Sequence, residues 1–167
     1  TKTCQTINND LFWDYSHSKI RSDLIDLYLA EICYACISTG SGFDALTNIN
    51  NKPILYINYL PHGYCMCFAQ TDFTSFKKIR DISTNKIIED LNELYDRNVF
   101  STLSDQQYTD NGLEVVDLNE EEILDCTKTF IKKISLDKNA TNYVESQIEK
   151  SFRELIKTKE DLISIHS

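Results

Sequence analysis

Two of the chain's four glycines fall within five residues, Ser38-Thr39-Gly40-Ser41-Gly42, and the segments on either side leave few folds open. Upstream, Tyr34-Ala35-Cys36-Ile37 is an apolar run of strand length. Downstream, Phe43 to Ile49 has room for about two helical turns, and Lys52-Pro53-Ile54-Leu55-Tyr56-Ile57 reads as a second buried strand. Strand, small-residue loop, helix and strand make a βαβ unit, which implies parallel pairing and an α/β fold. A loop of this kind can receive an anion. Backbone N–H groups at a helix start are unpaired and partly positive, and glycine lets that backbone come close to a ligand.

The rest of the chain extends this pattern. Ser18 or Ser22 can cap a helix over about 22–33, with Asp23 and Asp26 in its first turn. Strands are expected at 34–38 and 53–58 around a helix at 43–49, with Asn50-Asn51 turning the chain before the second strand. Residues 11–17 are aromatic without period and read as a loop packed on the core. Tyr64 to Phe68 reads as a short strand or a bulged excursion. Thr84 or Asn85 is expected to cap a helix near 86–97, and the polar segment 99–112 ends in the turn signal Asn111-Gly112. Leu113 to Leu118 alternates like a strand, Asn119 caps a strong helix at 120–134, and a last helix is expected over about 140–157.

With 167 residues, one domain with a real core is expected. The formal charge of −9 argues against a nucleic-acid surface, although a few amides and a cation or two suffice for a nucleotide's diphosphate. No apolar run approaches the roughly 20 residues that span a bilayer, and the start lacks a signal-peptide layout. Cys33 and Cys36, at a helix end and within the first strand, read as small buried apolar residues, so a reducing, cytoplasmic setting is expected. The sequon Asn139-Ala140-Thr141 then carries no meaning. The spacing of Cys33, Cys36, His62, Cys65 and Cys67 does not make a chelating knuckle, and no metal is expected. The chain starts at Thr1 and reads as a piece of something longer.

Taken together, Asp26 to Gly42 followed by Asn51-Lys52-Pro53-Ile54-Leu55 resembles the C-terminal, nucleotide-sugar-binding domain of GT-B-fold glycosyltransferases. Heptosyltransferases and nonhydrolysing UDP-sugar 2-epimerases share that arrangement. A closer likeness is to a sparsely described group of bacterial glycosyltransferases with an Arg-Ser-Asp-x-x-Asp-x-Tyr-Leu segment, here Arg21 to Leu29. In that group a Ser-Gly loop and Lys-Pro-x-x-x-x-Asn-Tyr-x-Pro, here Lys52 to Pro61, recur in the same order. The likeness covers about residues 10–100. It implies a three-layer Rossmann-like domain with a mostly parallel sheet flanked by helices. It also implies a nucleotide-diphosphate sugar as donor substrate, no further cofactor, and a separate N-terminal domain that binds the acceptor. Ser38, Thr39, Gly40, Ser41 and Gly42 would hold the diphosphate, assisted by Arg21, with Asp26 in the same cleft or paired with Arg21. Asp44, Asn58 and Tyr59 would contact ribose, sugar or base. The family's acidic ribose-binding residue has no clear counterpart, since Leu46, Thr47 and Asn48 stand there and only Asp44 is acidic.

Other readings stay open at this point. Ser22 and Asp23 are explained by capping alone, Tyr59 by packing, and His62 either by catalysis or as an exposed loop histidine. The chain also reads as a noncatalytic Rossmann-like interaction module, or as a small nucleotide- or flavin-phosphate-binding protein. Whether an exposed face drives homodimerisation is not legible from residues.

Overall fold

The computed structural model describes residues 11–64 and 72–136. The βαβ unit is present with nearly the boundaries expected. Ser22 caps α1 (Asp23–Ile32), its hydroxyl accepting from the Ile25 amide. Three residues later the chain enters β1 (Cys36–Ser38), crosses through α2 (Phe43–Ile49) and returns as β2 (Ile54–Tyr59). Parallel pairing aligns Cys36 with Ile54 and Ser38 with Tyr56. β3 (Phe73–Phe76) joins the other side of β2, also parallel, giving the order β1-β2-β3. At the start of β2 the buried Asp72 carboxylate accepts from the Ile54 amide at 2.9 Å.

Alternation along β2 divides the core. Ile54, Tyr56 and Tyr59 cluster with Cys36 and Phe76, on the face where α2 lies. Leu55 packs under Phe130 and Ile134 on the opposite face. Those two residues come from α5 (Glu120–Leu136), which begins in a reciprocal capping box: the Glu122 amide donates to Asn119 Oδ1, and the Asn119 amide to Glu122 Oε2.

The sheet is not a single parallel one. Only Lys77 separates β3 from β4 (Lys78–Asp81), which belongs to a second, antiparallel sheet ordered β5-β4-β6, with β5 at Lys86–Ile87 and β6 at Leu113–Val116. The helix expected over 86–97 is therefore corrected to a hairpin followed by the short α3 (Leu91–Asp96). Side chains at the turn decide this. Asp81 Oδ1 accepts from Ser83 Oγ at 2.6 Å and from the Thr84 amide at 3.0 Å, while Arg97 meets Oδ2 at 2.8 Å. Asn85 adopts a left-handed conformation (φ 55°), which suits a turn and not a helix cap. Asp90 caps α3 instead, accepting from the Asn92 amide.

Ile79, Leu94, Val99, Phe100, Tyr108 and Leu113 form the core of this second layer. Tyr108 comes from α4 (Asp105–Asp110), an element hidden in the polar segment 99–112. The aromatic segment 11–17 does not pack on the core as expected: it forms a 3-10 turn at Tyr15–His17, with Leu11 96% exposed and Phe12 and Trp13 half-exposed. The strand reading of Tyr64 to Phe68, beyond Tyr64 itself, and the helix of 140–157 lie outside the described residues.

Candidate functional site

The parallel strands place their carboxyl ends together, so Ser38, Tyr59 and Phe76 lie along one edge with the loops that follow. In parallel sheets ligands bind at this edge. A three-residue link joins α1 to β1, and α1 packs against α2, the helix that follows the loop.

The Ser38–Gly42 loop is held from within. Ser38 is buried, and its hydroxyl donates to Asp44 Oδ2 at 3.1 Å while accepting from the Gly40 amide at 3.0 Å and the Ser41 amide at 3.4 Å. Two of the amides expected to face an anion are thus turned toward Ser38. The Gly42 and Phe43 amides have no acceptor among the described residues, and Thr39, Ser41 and Gly42 are exposed. Gly40 has φ +85°, and a Cβ there would stand 2.9 Å from Tyr59 Cε2. Glycine is required at Gly40 on both counts. Gly42 is different, because a Cβ would meet nothing within 4 Å.

The remaining expected site residues divide between the edge and the interior. Arg21 is exposed and makes no ion pair among the described residues. Asp26 does not pair with it; desolvation and the nearby Asp26 carboxylate push the Tyr15 phenol upward, while its hydroxyl donates to the Ser22 carbonyl at 3.3 Å. Asp44 is only 6% exposed, turned inward onto Ser38. Tyr59 is packed, edge-to-face with Tyr56 at 5.5 Å and with Phe76 at 6.2 Å. Asn58 sits at a bulge in β2 with φ 51°, and its Oδ1 accepts from the Leu118 amide at 2.7 Å, fixing the approach to α5.

His62 is the residue that sequence reasoning under-read. It is 6% exposed, just past the cis Leu60–Pro61 peptide, and its ring stacks on Phe76 at 4.8 Å with planes 18° apart. The imidazole hydrogen-bonds the Lys77 backbone, yet Nδ1 has no partner. Burial lowers its pKa from 6.5 to about 4, so the ring is neutral at physiological pH. No sequence signal marks the burial, because a Pro-His-Gly loop is polar in composition whichever way the ring turns.

Among the described residues, no group of three or more His, Cys, Asp or Glu side chains could hold a metal ion. Cys33, Cys36 and Cys126 are free and half-buried, and burial pushes the Cys36 thiol up. No described helix is long and apolar enough to cross a membrane. No protein-family model, curated protein or solved structure matches the chain.

Proposed function

We propose that this chain is the donor-binding half of a glycosyltransferase, with the diphosphate of a nucleotide sugar lying over the Ser38–Gly42 loop. The observation that carries the reading is the loop itself: exposed, rigidly buttressed by Ser38 and Asp44, and set at the carboxyl end of the parallel strand β1. The Gly42 and Phe43 amides and the Ser41 hydroxyl meet phosphate oxygens, and the exposed Arg21, which makes no ion pair among the described residues, supplies the cation on this reading. Thr39 and Gly40 shape the loop around them, Asp26 stands in the first turn of α1, and Asn58 and Tyr59 form the floor.

Such a half stabilises the departing diphosphate without a metal. A second, acceptor-binding domain supplies the base and completes the Rossmann-like GT-B enzyme. The chain works in the cytoplasm on this reading and is inactive alone. One observation favours a noncatalytic binding module instead: Asp44, the one acid near the position that holds ribose in related enzymes, is occupied by Ser38.

Calorimetric titration with UDP, GDP, ADP and CMP tests the proposal, alongside Gly42→Asp. The variant sets a carboxylate where the diphosphate is expected, in open space and at a helix N-cap that tolerates Asp. Saturable binding of one nucleotide, lost in the folded variant, is the expected result. No binding of any of them at millimolar concentration would overturn it.

A further inference from the structure

We propose that His62 is a ligand-binding residue whose Nδ1 accepts a hydrogen bond from a hydroxyl group of the sugar carried by the nucleotide; this rests on the donor-site reading. His62 Nδ1 is the one buried side-chain nitrogen or oxygen without a partner among the described residues. Leaving such an atom unmet is costly, and native interiors rarely do so without a functional reason.

The geometry specifies what the missing partner is. A neutral imidazole carries one ring proton; with the Lys77 backbone beside the other nitrogen, that proton is assigned to Nε2, which gives Nδ1 the acceptor role. Burial keeps the ring uncharged, so it recognises a donor and does not attract a phosphate. Stacking on Phe76 fixes the ring plane. The loop that carries it is held as well, with the Gly63 amide donating to the Phe100 carbonyl at 2.8 Å and no room for a side chain at Gly63 between Ser101 and Phe100. A neutral, immobilised acceptor suits a hydroxyl. Its place suits the sugar end of the donor: His62 follows β2 at the carboxyl edge, and the rings of Phe76 and Tyr59 run from it to Gly40 in the diphosphate loop.

The test uses the 167-residue chain, titrated with UDP and UDP-glucose and with GDP and GDP-mannose, as wild type, His62→Phe and His62→Asn. Phenylalanine keeps the stack and removes the acceptor; asparagine returns an acceptor oxygen near Nδ1. His62→Phe is expected to bind the nucleoside diphosphate like wild type and the matching nucleotide sugar about tenfold more weakly, with part of the loss restored in His62→Asn. On the wild type, nitrogen NMR of the imidazole is expected to show the Nδ1 resonance move on adding the nucleotide sugar and stay put with the diphosphate alone, a readout that requires no variant to fold. Equal binding of both ligands by folded His62→Phe, or an unmoved Nδ1 resonance at saturation, overturns the role of His62 and leaves the donor site standing. Failure of the wild type to bind any diphosphate brings down the donor-site reading, and this inference with it.

Discussion

Acidification offers a direct measure of how firmly His62 is held inside the fold. In the unfolded chain its imidazole titrates near 6.5, and in the folded state near 4, because burial desolvates the charged form. The unfolded state therefore binds more protons throughout that interval, and folding stability falls as pH drops through it. The full linkage over both values is about 3 kcal/mol, at 1.36 kcal/mol for each pKa unit. Between pH 7.5 and pH 5, a window that ends above the range where carboxyl groups titrate, about 2 kcal/mol of it should be lost. That is a large share of the stability of a domain this size. Urea unfolding followed by tryptophan fluorescence and circular dichroism, repeated at half-unit pH steps, reads the loss as a shift in midpoint at constant slope. In His62→Phe the fall over the same window should flatten, whatever the variant's stability at pH 7.5. A wild-type profile that is level from pH 7.5 to 5, or a His62→Phe profile that falls as steeply, would refute the burial argument.

Three further outcomes follow from the same geometry. Gly40→Ala should lower stability by about 1–3 kcal/mol, since it combines a left-handed backbone with a Cβ pressed on Tyr59, while Gly42→Ala should stay within about 0.5 kcal/mol; paired urea titrations check both. Asn58→Gly keeps the positive φ but drops the bond to the Leu118 amide, and should cost about 1 kcal/mol, with Asn58→Ala costing more because it adds backbone strain. At Asp81, hydrogen bonds from Ser83 and Thr84 together with Arg97 hold the carboxyl well below its ordinary 3.8. Its folded form binds fewer protons, so its contribution is complete above that value and is lost as pH falls below it; Asp81→Asn should lower Tm at neutral pH and narrow the gap to wild type in acid, measured by thermal scans.

Much of the first half was legible because its signals are local. Ser22 capping, the small-residue loop and a short apolar run after Lys52-Pro53 each act within a few residues, and α1, β1, α2 and β2 stand close to where those signals put them. Asn119 and three following glutamates likewise marked α5. The stretch from 78 to 112 misled because its determinants are not local. Thr84-Asn85 is good capping chemistry in isolation, and only the approach of Asp81 and of Arg97, from another element, makes it a hairpin turn. The short α4 was masked by its polar surface, with Tyr108 as the one side chain it buries.

At the candidate site the same division holds. Residue order alone determined that a glycine-bearing loop follows a strand and precedes a helix, since backbone permissiveness and hydrophobic periodicity are properties of short segments. Which groups remain free was decided by tertiary structure: Ser38 and Asp44 close on each other, Asn58 reaches across to Leu118, and Tyr59 slides under Gly40. His62 belongs wholly to that second kind. Its type and position are plain in the sequence, but its burial and its unmatched Nδ1 arise only when β3 brings Phe76 and Lys77 alongside, because desolvation and hydrogen-bond satisfaction depend on neighbours distant along the chain.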